Sequence, residues 1–219
     1  MQNLIRILFV LQFFIVSCSC SSTNDTTEEP IVVTPLTDTE ILDLAQKDAF
    51  KYFWNYAETN SKLARERYHV DETFVDANLV TTGGSGFGLM TILVGIERGF
   101  VTRSEAVARL NTSLTFLENA DRFHGAWSHW INGTNGNVVP FGTDDDGGDI
   151  VETSFLCQGL LCIREYFKNG TPEEQALALK ADELWKGVEW SWYTKGENAM
   201  YWHWSPNYEW QKNFKLEGY

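Results

Sequence analysis

The chain has 219 residues, 43% of them hydrophobic, 21% charged and 14% aromatic with nine Trp, and a formal net charge of -13. This is a globular composition whose acidity excludes nucleic acid, because phosphate neutralisation needs a basic stripe that is missing. A neutral or cationic ligand stays open. The aromatic excess suits surfaces with one apolar face and one polar edge, where it is not simply core.

In chain order, "MQNLIR" supplies a short basic n-region, "ILFVLQFFIV" an h-region too short to span a bilayer, and "VSC" a small residue before Cys18. That pattern predicts a lipoprotein signal peptide over 1–17, with Cys18 as the lipid-bearing N-terminus and the bacterial cell envelope as location. Its removal takes Arg6 and no acid, leaving -14. Residues 18–34 are polar, acidic and without apolar periodicity, so they are expected to form a flexible tether. The folded part is placed at 35–219.

Three segments there open with Thr followed three residues later by Glu, at Thr37, Thr102 and Thr171, the signature of a capping box. Behind the first runs an apolar stripe of Ile41, Leu42, Ala45, Ala49, Phe53 and Trp54, and behind the second Val107, Leu110, Leu114 and Leu117. Between these one-sided helices lie two that are apolar on nearly all sides, at 86–99 and 149–167, each after a Gly-Gly pair. Cys157 and Cys162 fall in the second and are expected as buried thiols, since a bridge within one helix has poor geometry. Half-exposed and buried helices thus alternate with a period of about 65 residues. The predicted fold class is all-α, a double-layered ring of outer and inner helices. About 2.8 periods fit between Thr37 and Tyr219, so the sequence predicts an incomplete, truncated toroid with exposed apolar inner faces.

The loops entering the inner helices are long and rich in aromatics, His, Arg and acids, whereas the opposite connections are short and plain. Chemistry is therefore expected on the inner-helix N-terminal rim. "GTDDDGGDIVETSF" concentrates Asp144, Asp145, Asp146, Asp149 and Glu152 there. An EF-hand alignment fails, because Gly142 and Thr153 fall where acids are required, while a looser calcium or magnesium site stays open; no metal or cofactor is expected. Asp149 and Glu152 read as an Asp-x-x-Glu capping box. The surplus acid beside Trp and His is the toolkit of glycoside hydrolysis, with Asp145, Asp149 and Glu152 as catalytic candidates. A carboxylate at a helix N-terminus suits a base or a sugar-hydroxyl acceptor, so the general acid is sought elsewhere. Trp127, His129 and Trp130 in "AWSHW", and Trp202, His203, Trp204 and Tyr208 in "YWHWSPNY", are candidate sugar platforms and hydroxyl partners, with loop-stiffening packing as the alternative. Arg65 and Arg67 in "ARERY" are a candidate clamp or a surface ion-pair cluster.

The stretches "TTGGSGFG", "ERGFVTR", "ADRFHGAWSHWINGTNG", "DDDGGDIVETSFLCQGLL" and "YWHWSPNYEWQKNF" together resemble the glucoamylase-like proteins of glycoside hydrolase family 144. The resemblance spans roughly residues 37 to 219. It implies an (α/α)6 toroid and an inverting hydrolase of β-glucan, of the endo-β-1,2-glucanase or sophorose-releasing kind. It places the family's acidic cluster on Asp145, Asp149 and Glu152, and a further glutamate two residues past Tyr219. A non-catalytic glycan-binding lipoprotein is the alternative. A polysaccharide lyase fits less well, since its anionic substrate would meet an acidic protein.

Overall fold

A computed structural model describes residues 35–70 and 76–217. The expected signal peptide, Cys18 and the tether lie outside the described residues. The helices are α1 (Asp38–Asn55), α2 (Thr82–Glu97), α3 (Arg103–Asn119), α4 (Ile150–Phe167) and α5 (Pro172–Lys186). All three capping boxes form with both halves in place, Thr37 with Glu40, Thr102 with Glu105 and Thr171 with Glu174. Each Thr hydroxyl accepts an orphan amide of the first turn, and each Glu accepts the amide of its cap residue.

The inner pair α2 and α4 pack against each other most extensively, with α5 laid over α4, and α3 packed on α2 and α5. Leu89 and Ile92 of α2 meet Leu156, Leu160, Ile163 and Phe167 of α4, covered by Leu110, Leu114 and Leu117 of α3 and by Leu177, Ala181 and Leu184 of α5. Two glycines let the inner helices touch. A Cβ at Gly86 would lie 2.1 Å from the Phe155 carbonyl oxygen, and one at Gly159 would lie 2.5 Å from the Gly86 carbonyl oxygen. Because those neighbours are backbone, they cannot swing away. Gly86→Val is expected to lower stability by about 3 kcal/mol, at the upper end of overpacking costs, measured as a fall in the urea midpoint.

Some sequence expectations need correction. Helix α2 starts at Thr82, taking Gly83 and Gly84 into its first turn instead of following them. The apolar stripe of α1 is covered only toward its C-terminal end, where Phe50 is buried, while Ile41, Leu42 and Leu44 are exposed. Periodicity predicts an apolar face; it does not predict that a neighbour covers it. Nor are the inner helices buried all round, since Phe87 and Val94, seven residues apart on α2, form an exposed strip. Cys157 is buried, but Cys162 lies with Gln158 and Glu165 on the exposed face of α4.

Short strands, absent from the sequence reading, stitch the rim loops together. Strands β1 (Leu79–Thr81), β2 (Trp130–Asn132) and β3 (Val138–Val139) form an antiparallel sheet in that order. Strand β4 (Gly148–Asp149) pairs with β6 (His203–Trp204), and β5 (Met200–Tyr201) with β7 (Lys215–Leu216). At two or three residues each, they are too short to show a period of two. Their registers bring Thr81 opposite Trp130 and Asp149 opposite His203. Among the described residues, no helix is long and apolar enough to cross a membrane.

Candidate active site

The N-termini of α2 and α4 sit side by side, with the 126–130 segment threaded between them. Thr82 donates its amide to the His129 carbonyl and its hydroxyl to the Ser128 carbonyl, and Asp149 donates its amide to the Trp127 carbonyl. Thr153 adds its hydroxyl to that same carbonyl and accepts the Trp127 amide. The Thr82 and Thr153 hydroxyls and the Asp149 amide are thereby satisfied by backbone carbonyls.

Asp149 caps α4 as expected, its Oδ1 accepting the Val151 and Glu152 amides, each at 2.9 Å. The reciprocal half of the box is not made. Glu152 instead reaches across to α2, where its Oε2 accepts the Gly83 amide at 2.8 Å. A Cβ at Gly83 would lie 2.4 Å from that oxygen, so a side chain there would push the Glu152 carboxylate off the amide. One carboxylate of the inner pair thus caps its own helix, and the other caps its neighbour.

Two of the surplus aspartates are latches. Asp144, in the left-handed region at φ 64°, accepts from the Gln211 side-chain amide at 3.0 Å, and Asp146 accepts from Asn207 at 2.5 Å. Both tie the acidic loop to the 205–213 loop. Asp145 is different: it is 3% exposed, and its Oδ1 lies 3.2 Å from His203 Nε2. Burial, and then the neighbouring Asp149 charge, push its carboxyl up to about 6.

His129 places a ring nitrogen 3.1 Å from Asp149 Oδ2 and stacks on Phe141, with centroids 4.0 Å apart. Burial works against charging this ring, but the Asp149 hydrogen bond and the charges of Glu152, Asp149 and Asp145 outweigh it, so its pKa is raised. Trp130 meets both rings edge-on and completes an aromatic corner. Phe141, exposed and directly before the acidic loop, was not among the sequence candidates; its place in "VVPFGTDDD" is the signal that was available. Glu66, ion-paired with Arg67, also senses the His129 ring: the Arg67 hydrogen bond first, and His129 among other charges, hold its carboxyl below the ordinary range.

The structure therefore gathers His129, Trp130, Asp145, Asp149, Glu152 and His203, with the Glu66–Arg67 pair at the border. It separates others. Trp127 is 0% exposed, donates its indole N–H to the Leu117 carbonyl at 3.0 Å, and lies 4.1 Å from the Arg122 guanidinium carbon over its ring. It is core, not a sugar platform. His203 is also fully buried, so its ring edge is not open to a hydroxyl. Trp202 is half-buried against Phe214, and Trp204 is half-buried with its edge toward Trp192 and His124. Tyr208 is exposed at the turn whose amide bonds Ser205 Oγ. Arg65 lies along β1, bridging to Val80, and lines a cavity of about 410 Å³ with Asn55, Tyr56 and Tyr68. Among the described residues, no three His, Cys, Asp or Glu side chains are grouped to hold a metal ion.

The buried Asp145 carboxyl has a consequence for stability. Its folded pKa lies above its unfolded one, so the folded state holds more protons between about pH 4 and 6. Its contribution to stability is full below the unfolded value and is lost as pH rises through the folded one. An amide stays neutral and can donate to His203. Asp145→Asn is therefore expected to stabilise by on the order of 2 kcal/mol at pH 8 and by little at pH 4, measured by denaturant melts at both pH values.

The helical layers and this rim define the class: the fold is that of the glucoamylase-like (α/α) toroids. No family model matches the chain. It is 46% identical over 207 residues to an exo β-1,2-glucooligosaccharide sophorohydrolase of Parabacteroides distasonis, an alignment covering 93% of this chain and 28% of that protein. Among solved structures, an endo-β-1,2-glucanase from Chitinophaga pinensis in complex with sophorotriose and glucose is 56% identical, with a TM-score of 0.83 over 84% of this chain and 45% of that one. A β-1,2-glucanase from Parabacteroides distasonis is 49% identical, with a TM-score of 0.78 over 84% of this chain and 26% of that one. The chain thus spans less than half the length of these relatives, and over that stretch it is similar to proteins that act on β-1,2-glucans.

Proposed function

We propose that this polypeptide contributes the acidic rim of an inverting β-1,2-glucan hydrolase, acting within chains or releasing sophorose, and held at the bacterial cell envelope by a lipid on Cys18. The lipid anchor is supported by the signal pattern of residues 1–18 alone. The observation that carries the hydrolase is that two carboxyls of one rim, one in the acidic loop and one capping α2, sit in unlike environments. Asp145 is buried and pushed up to about 6, while Glu152 is half-exposed with one oxygen on an amide.

Unlike environments divide acid from base. In the proposed reaction a protonated carboxyl gives its proton to the glycosidic oxygen as the bond from that oxygen to the anomeric carbon breaks. A carboxylate takes a proton from water as the water oxygen bonds to that carbon from the opposite face, yielding two shorter glucans. Asp145 suits the donor, which requires the acidic loop to move its buried carboxyl to the sugar, and Glu152 the acceptor, with Asp149 orienting His129. The Trp130–Phe141 corner supplies an apolar face for a glucose ring.

The test is incubation with linear β-1,2-glucan, with products separated by length, for the wild type and for Asp149→Asn and Glu152→Gln. Sugar release lost in the variants supports the assignment, and a sophorose-only ladder would mark exo action. Undiminished release in both variants would return the pair to capping.

A further inference from the structure

His203 has no role in the reaction just described, yet it is the one fully buried imidazole among the described residues and its geometry is specific. Its Nε2 accepts the Gly147 amide at 3.1 Å, so that nitrogen carries a lone pair and not a proton. A neutral ring must then hold its proton on Nδ1. The same Nε2 lies 3.2 Å from Asp145 Oδ1. A carboxylate oxygen beside that electron-rich nitrogen is repelled, and a proton on Asp145 relieves the repulsion by sharing the single Nε2 lone pair with the Gly147 amide. Protonating Nε2 instead would set its N–H against that of Gly147.

From this we propose that His203 is a positioning residue for Asp145: a permanently neutral, Nδ1-protonated imidazole, fixed by the Gly147 amide, that holds the Asp145 carboxyl in its acid form. The proposal deepens the hydrolase reading and rests on it for its purpose, though not for its test.

Burial, more than the charges around the pair, favours this state. Asp146 and Asp149 face His203 from the acidic loop and the α4 N-terminus, and Lys212 from the loop that follows, while Asp145 also faces His129. The two acids favour a charged ring and Lys212 opposes it, but loss of water dominates, so the pKa of His203 is lowered. Two buried atoms, His203 Nδ1 and Asp145 Oδ2, have no partner among the described residues, so the position of the ring proton rests on the Nε2 contacts. The strand pairing of Asp149 with His203 fixes the ring's approach through backbone, independent of either side chain.

The experiment uses the whole protein labelled with nitrogen-15 at histidine, with His203 assigned by His203→Gln. At pH 7 and down to pH 5 the His203 nitrogens are expected to show a neutral ring protonated on Nδ1. A cationic ring, or a proton on Nε2, at pH 7 would overturn the proposal. Carbon-13 carboxyl titration of Asp145 gives the second readout. In His203→Phe the acceptor is gone and the freed Gly147 amide can turn to the carboxylate, so the Asp145 pKa is expected to fall from about 6 by about one unit or more. In His203→Gln, whose carbonyl keeps the amide occupied, it should stay near the wild-type value. Equal titration in all three proteins would mean that burial alone sets the acid, and the proposal fails. Should His203→Phe not fold, the wild-type nitrogen spectrum still decides. The nitrogen signature together with no glucan hydrolysis would sink the hydrolase reading alone.

Discussion

Glu152→Gln is expected to reduce β-1,2-glucan hydrolysis by about 10²- to 10⁴-fold, the usual contribution of a general base, while leaving the thermal midpoint within a few degrees. The separation of the two effects follows from the contact that Glu152 makes. Its Oε2 accepts the Gly83 amide at the start of α2, and the glutamine carbonyl can accept the same bond. What the amide cannot do is take a proton from water. Glu152→Ala removes both, so it should lose the activity and also about 1 kcal/mol of stability, as for other lost caps. Comparing initial rates with melting curves for the two variants separates cap from catalyst. Full activity in the glutamine variant would show that Glu152 serves only the helix.

Trp127→Ala is expected to be among the most damaging single changes in the described part of the chain, at about 3–5 kcal/mol, the range for removing a large buried aromatic. The ring is wholly enclosed, its N–H is spent on the Leu117 carbonyl, and Arg122 covers its face. Arg122 is itself held between the Gly125 and Leu184 carbonyls, so the lost ring leaves a cavity under a guanidinium that still needs both oxygens. The measurement is the urea midpoint, with the folded fraction checked before any assay of sugar release. A variant that folds as stably as the wild type but no longer binds glucan would restore Trp127 as a platform.

These cases show which features were legible in sequence and which were not. The capping boxes at Thr37, Thr102 and Thr171 were legible because the two partners lie three residues apart and bond within one turn. The alternation of one-sided and apolar helices was legible for the same local reason, and with it the toroidal class. The destination of Glu152 was not, because its partner is 69 positions away and sequence offered a nearer one in its own helix. Trp127 and Trp130 look alike in "AWSHW", since an irregular segment has no period to say which ring turns inward. The proposal of a glucan came from long motif resemblance; the residues alone pointed only to carboxylates beside aromatic rings.

The acidic loop and His203 are joined by a bond spanning 56 positions, and this bears on how the protein comes into being. Contacts that far apart cost more loop-closure entropy than the turns of α4 and α5 between them, so they are expected to close after those helices. As the chain leaves the ribosome, Asp145 is first an ordinary, water-exposed aspartate. Only when the aromatic loop arrives does the carboxyl lose its water and gain its imidazole partner, so the unusual acid is among the last parts of the described structure to be made.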